Sequence, residues 1–217
     1  MMNNRFKRII GTLLVIVSIF STIILNGCSV KDKTNNNTVS QKAAYDSNSS
    51  SNGYNLKQYK NQPPNTKEAT VERVVDGDTI VVKEHNKEIK VRFLLVDTPE
   101  TCKPNTPVQP FGEKAKQFTK DALKKGAKIY IEYGKSKSDK YGRRLGFIYY
   151  NNNGKWEMLN EALVANGLAR VGYIYEDKEH LNELKEAQDY AKENKLNIWS
   201  KAGYVTDRGY NPKVFNK

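Results

Sequence analysis

The chain has 217 residues, 36 Lys and Arg against 24 Asp and Glu, two Cys, two His and a formal net charge of +12. Two cysteines exclude a disulfide-dense scaffold, and two distant histidines without a CxxC exclude an ordinary structural zinc site. One apolar run near the start excludes a multi-span membrane protein, and the length allows one domain of ordinary size with flanking segments.

Charge is unevenly spread. Residues 1–28 carry three basic and no acidic side chains, residues 29–67 six and two, and residues 68–217 27 and 22, which leaves the presumed domain at only +5. That excess suits a polyanionic partner and equally a soluble protein held away from its isoelectric point.

Arg5, Lys7 and Arg8 precede an apolar stretch from Ile9 to Leu25, followed by Asn26-Gly27-Cys28 and an abrupt change to polar sequence. This predicts a signal peptide. Its end resembles a bacterial lipobox, which implies cleavage before Cys28 and lipid attachment to it; Asn26 departs from the small or aliphatic residue usual there. An uncleaved anchor is the alternative reading of the 17-residue run. Either reading places the domain outside the cytoplasm, as a membrane-anchored lipoprotein or a secreted protein. Residues 29–67 are polar and almost free of apolar side chains, so a disordered tether is expected, closed by Pro63 and Pro64.

The domain is expected over residues 68–200. Thr70 to Val75 and Asp78 to Lys83 are rich in β-branched residues, and Glu88 to Val96 alternates before turning solidly apolar, so three strands in meander are predicted. Glu113 to Lys125 places Ala115, Phe118, Ala122 and Leu123 at helical spacing, with Gly126 as a stop. Strands follow at Lys128 to Tyr133 and Arg144 to Tyr150, then a turn at Asn151 to Gly154, a short helix over Met158 to Asn166 and a longer one over Lys178 to Asn194. Three strands, a helix, two strands and further helices is the element order of an α+β protein built on an OB-fold, a five-stranded barrel with about three helices. Residues 201–217 form a tail with no pattern to assign.

Three groups carry chemistry. Asp76-Gly77-Asp78-Thr79 lies between β-branched runs, where Asp-Gly also serves as a plain hairpin turn. Asp97-Thr98-Pro99-Glu100 follows an apolar strand, where an unpaired carboxylate is costly. Asp139 to Arg144 gathers three cations, an aromatic and a glycine at a strand entrance; a solvated hairpin is its plain reading. Arg92 stands five residues before Asp97, and strict alternation puts the two on opposite faces unless the strand bends or bulges. His85 in a hairpin turn and His180 at a helix start read as ordinary surface histidines, and Cys102 as a free thiol.

Taken together these groups resemble the staphylococcal nuclease (thermonuclease) family. Asp76-Gly77-Asp78-Thr79, Arg92 with Leu94 to Glu100, Asp139 to Arg143, Asn160 to Val164 and Lys195 to Ser200 recur in family order over roughly residues 68–200. The resemblance implies an OB-fold and a calcium-dependent endonuclease that hydrolyses DNA and RNA with little sequence specificity, prefers single-stranded or flexible regions and leaves 3′-phosphate ends. It implies Asp78, Asp97 and the Thr98 carbonyl as calcium ligands, Glu100 as general base, and Arg92 and Arg143 as the phosphate-gripping arginines, with Arg144 the competitor for Arg143. Lys140, Tyr141, Tyr173 and Tyr175 match nucleotide-holding positions. Expected partners are DNA, RNA and, through the lipid, the outer face of the cytoplasmic membrane, with the chain acting as a monomer. A non-catalytic nucleic-acid-binding OB module is the alternative, and the intact set of charged site residues speaks against it.

Overall fold

A computed structural model of the chain describes residues 53–216. The expected signal peptide and Cys28 lie outside the described residues, as does the expected tether up to Asn52. Among the described residues no helix is long and apolar enough to cross a membrane.

Strands β1 (Gln58–Tyr59), β2 (Lys67–Asp76), β3 (Thr79–Glu84), β4 (Lys87–Phe93) and β5 (Val96–Asp97) precede helix α1 (Gly112–Ala122). Then come β6 (Lys128–Tyr133), β7 (Arg144–Asn152), β8 (Lys155–Met158), α2 (Leu159–Ala165), β9 (Arg170–Val171), α3 (Leu181–Glu193), β10 (Val205–Thr206) and β11 (Gly209–Tyr210). The expected meander is β2, β3 and β4, joined by the Gly77-Asp78 and His85-Asn86 turns. The sheet runs β1-β8-β7-β4-β3-β2-β6, and an additional β6–β7 pairing closes five strands into a barrel. Every pairing is antiparallel except β4 with β7, so the barrel is mixed. This is the expected α+β OB-fold barrel, with three α-helices among the described residues.

The barrel is filled by β-branched and aromatic side chains: Val71, Ile80, Val82, Val91, Ile129, Ile131, Phe147 and Ile148 are all buried. Such residues fit a pleated surface that is covered on both sides. Helix α1 turns Ala115 and Phe118 inward, and α3 turns Leu184, Ala187 and Ala191 inward, which is the 3.6-residue spacing that the sequence displays. Gly167 ends α2 at φ 61°, where an added Cβ would run into the Leu196 carbonyl, so the end of α3 can close over it only as glycine.

Four local expectations change. The strand expected to run to Val96 breaks after Phe93, because Leu95 takes φ 60° and Val96–Asp97 turn away to pair with β9. Leu94 and Leu95 are nonetheless buried, so the apolar run reports core position without reporting strand continuity. Strand β8 was not expected, since Trp156-Glu157-Met158 merges into the following helical pattern. The polar segment from Gly53 onward packs on the domain: Leu56 is buried, Tyr54 meets Tyr190 with ring centroids 5.3 Å apart, and β1 pairs with β8. A few apolar groups suffice there because they dock on a surface already built. The tail also folds, with Tyr204 fully buried, its hydroxyl donating to the Pro110 carbonyl, and β10 and β11 forming a hairpin.

Candidate active site

The expected site residues come from separate stretches of chain and line one cleft of about 1,040 Å³. Asp78, Arg92, Asp97, Thr98, Glu100, Lys140, Tyr141, Arg143, Tyr173 and Tyr175 all contribute to its wall. The turn between β2 and β3 supplies Asp78, the end of β4 supplies Arg92, and the break after Phe93 delivers Asp97 to Glu100. The approach to β7 supplies Lys140 to Arg143, and the segment after β9 supplies Tyr173 and Tyr175.

Gly77 lets two of these stretches meet. A Cβ there would lie 2.9 Å from both Oγ1 and Cγ2 of Thr98, so any larger residue would push the loops apart. Asp78 seals the junction: its Oδ2 accepts from Thr98 N and Thr98 Oγ1, each at 3.0 Å, and its Oδ1 accepts from Thr79 Oγ1 at 3.0 Å.

The broken strand resolves the alternation problem of Arg92 and Asp97. Because the chain folds back at Leu95, the buried Arg92 donates from Nη1 to the carbonyls of Phe93 and Val96 at 2.7 and 2.8 Å. Its Nη2 then lies 3.1 Å from Asp78 Oδ2 and 3.8 Å from Asp97 Oδ1. A bidentate-capable guanidinium suits this position, with one edge held by carbonyls and the other presented to carboxylates. Asn160 braces the break, its Oδ1 accepting from Ile148 N and its Nδ2 donating to Leu94 O, each at 2.9 Å.

Asp97 is also gripped from a side that the sequence did not indicate. Arg170 Nε donates to its Oδ2 at 2.9 Å, and Tyr210 donates to its main-chain carbonyl. Burial raises the Asp97 carboxyl above the ordinary aspartate value, Arg170 pulls it back and the Asp78 charge pushes it up again. Asp78 and Asp97, two mutually repelling carboxylates, line the cleft with Thr98, whose main-chain carbonyl would complete an all-oxygen donor set. That set fits a hard divalent cation such as calcium better than a soft metal. Among the described residues no group of three or more His, Cys, Asp or Glu offers a denser cage, so further ligands would be water or substrate.

Glu100 Oε1 accepts from Cys102 N at 2.9 Å, and its own N–H donates to Gln109 Oε1 at 2.8 Å, which pins the loop beside the cleft. Its carboxyl also meets Asp76, which burial and then that shared hydrogen bond raise above the ordinary aspartate value. Arg143 is tied at Nε to Asp139 Oδ2 at 2.6 Å, and its Nη groups make no hydrogen bond among the described residues, which leaves them for a ligand. Arg144 lies over the Tyr133 ring, 4.0 Å from its centroid, and is absent from the cleft wall, which separates it from Arg143. Tyr141 and Tyr175 are 71% and 73% exposed, and Tyr173 packs under Arg92 with the guanidinium carbon 5.4 Å from its ring centroid.

His180 is not the surface histidine expected. Its Nε2 lies 2.9 Å from Glu132 Oε2 and its ring stands edge-on to Phe147; the Glu132 hydrogen bond raises its pKa. It lies outside the cleft wall. Arg170, Tyr210, Asn160 and Asp76 were missed as site residues. Asp76, beside Gly77-Asp78, and Asn160, at the head of the Asn160 to Val164 block, stood in motifs that could have signalled their parts; Arg170 and Tyr210 stood in none.

The barrel and its cleft of paired carboxylates and guanidinium groups define a protein built to act on a phosphate diester. Residues 90–201 match the family model described as staphylococcal nuclease homologue. The chain is 38% identical over 210 residues to endonuclease YncB of Bacillus subtilis (strain 168), covering 92% of this chain and 96% of that protein. It is 45% identical over 152 residues to the SPbeta prophage-derived endonuclease YokF of the same strain, covering 69% of this chain and half of YokF. It is also 45% identical over 128 residues to a thermonuclease of Staphylococcus hyicus, covering 59% of this chain and 73% of that one. The chain belongs to the staphylococcal nuclease family and is a nuclease, a hydrolase of nucleic-acid phosphodiester bonds.

Proposed function

We propose that this nuclease is calcium-dependent, cuts DNA and RNA with little regard to sequence, and leaves 3′-phosphate ends. The observation that carries this reading is the meeting of Asp78, Asp97 and Arg92 at one point of a cleft that also holds Glu100 and Arg143. Asp78, Asp97 and the Thr98 carbonyl would hold the cation, which when bound supplies a Lewis acid that offsets phosphate charge.

The protein's own groups supply the remaining chemistry. Glu100, oriented through Oε1 by the Cys102 N–H, takes the proton of an attacking water, and loss of the 5′-oxygen leaves the phosphate on the 3′ side. Arg143 offers two Nη groups to equatorial oxygens and Arg92 a fixed, buried charge, both placed to oppose charge that grows during attack. Tyr141, Tyr173 and Tyr175 present rings to bases, and every base has a π-face, so low sequence specificity follows. Stacking of this kind needs unpaired bases, which favours single-stranded or flexible regions.

The mature chain is proposed to act as a monomer at the outer face of the cytoplasmic membrane, held by lipid on Cys28, or to be secreted. The lipobox-like Gly27-Cys28 after an apolar run supports this. Release of acid-soluble nucleotide from DNA and RNA, measured with calcium, with magnesium and with chelator, tests the metal; phosphatase treatment of the products tests the ends. Activity unaffected by chelator, or 5′-phosphate ends, would refute the chemistry. Incorporation of labelled fatty acid into the full chain but not into Cys28→Ala tests the anchor.

A further inference from the structure

A second cavity, of about 600 Å³, adjoins the catalytic cleft, and Tyr173 and Tyr175 belong to the walls of both. Its far wall is the C-terminal hairpin: β10 and β11 pair Thr206 with Gly209, so Asp207 and Arg208 form the two-residue tip. Three cations line it, Arg170, Lys192 and Arg208, against the single carboxylate of Asp207. Arg170 is committed to Asp97 and to the Asp207 carbonyl. Arg208 makes no ion pair among the described residues, and Lys192 pairs only with Asp189, at 3.3 Å on the exposed face of α3.

Trp199 completes the wall, with Lys192 Nζ 5.2 Å from its ring centroid. Its Nε1 is buried and has no acceptor among the described residues, so the indole contributes to the cavity through its ring. Cations beside aromatic faces, Arg208 without an ion pair among the described residues and Lys192 held only by an exposed one, in a trough that adjoins the catalytic cleft, are the chemistry of a polynucleotide track.

We propose that this cavity is a subsite for nucleotides of a single strand that lie beyond those flanking the scissile bond. Arg208 and Lys192 meet their phosphates, while Tyr175 and Trp199 meet their bases. The assignment rests on the nuclease reading of the adjoining cleft and extends its footprint along the chain of the substrate. It also gives a purpose to the terminal hairpin, which builds one side of the trough.

The test compares the full chain with the double variant Arg208→Ala, Lys192→Ala, both changes being on exposed side chains. Binding of a labelled 12-nucleotide single strand is followed by anisotropy in chelator, where nothing is cut, across a salt series. Hydrolysis of a dinucleotide, too short to reach the second cavity, is followed with calcium. The variant is expected to bind the long strand about three- to tenfold more weakly, as for two partly exposed charge contacts. The slope of log K against log salt is expected to fall by about 1.4, and the dinucleotide kinetics to stay unchanged. Equal affinity and slope in variant and parent would overturn the subsite while leaving the catalytic reading intact. Failure of the parent to cut the dinucleotide or any longer strand with calcium would strike the catalytic reading instead. As a second readout, Trp199 fluorescence in a Trp156→Phe background should respond to the 12-mer and not to the dinucleotide; no response to either also overturns the subsite.

Discussion

The hydroxyl of Tyr210 donates to the main-chain carbonyl of Asp97, 113 residues earlier in the chain. The terminal hairpin therefore reaches the loop that carries one of the two site carboxylates, and Arg170 strengthens the tie by bonding both the Asp97 side chain and the Asp207 carbonyl.

Replacing Tyr210 with Phe keeps the ring and leaves a half-buried carbonyl without its donor, a loss of about 1–2 kcal/mol. The expected outcome is a several-fold higher calcium concentration for half-maximal activity with a modest fall in melting temperature. A calcium titration of activity beside a thermal melt checks it; an unchanged titration would detach the hairpin from the site.

Glu100→Gln preserves volume and removes the proton-accepting oxygen. The expected fall in kcat is about 10²–10⁴-fold, with circular dichroism and strand binding like the parent's. Unchanged turnover would reject Glu100 as the base.

Arg92 and Arg143 should separate by stability. Arg92 is buried against Asp78, so Arg92→Ala strands a carboxylate and is expected to cost about 3–5 kcal/mol in denaturant unfolding as well as activity. Arg143→Ala, whose side chain is partly exposed, pairs with Asp139 and lies over the exposed Tyr141 ring, should change stability by less than about 1 kcal/mol, yet lower kcat about 10²–10³-fold. Equal stability losses would contradict the buried and open roles assigned to them.

The fold should weaken as pH rises towards neutrality. Burial raises the Glu161 carboxyl from 4.5 to about 7, so in the native state it prefers to stay protonated. A raised pKa means that folding is unpenalised below the unfolded value near 4.5, and that the penalty grows until pH passes about 7. His180, raised by its bond to Glu132, contributes with the same sign: its stabilisation is full below its unfolded pKa and is lost as pH climbs through the folded one. Glu161→Gln removes the first effect and is expected to raise the melting temperature at pH 8 but not at pH 4. Parallel melting curves for variant and parent across that range would show that Glu161 does not titrate in this way.

Much of this protein was legible along the chain. The β-branched runs, the two helical faces at Ala115 to Phe118 and Leu184 to Ala191, and the order of the elements specify a barrel with helices, because burial imposes periods of 2 and 3.6 on local sequence. The motifs around Asp78, Asp97, Glu100 and Arg143 named their residues through family resemblance, since a short loop that holds a charged group has few workable sequences. What the chain could not reveal is whatever depends on two distant segments sharing space. The turn at Leu95 that puts Arg92 beside Asp97 is hidden in an apolar run whose composition is the same whether the strand continues or breaks. The burial of His180, the docking of Tyr54 and Leu56, and the reach of Tyr210 to Asp97 arise from surfaces that exist only after the barrel has closed. Local pattern reports which way a side chain must face, whereas the partner it meets is set by long-range packing.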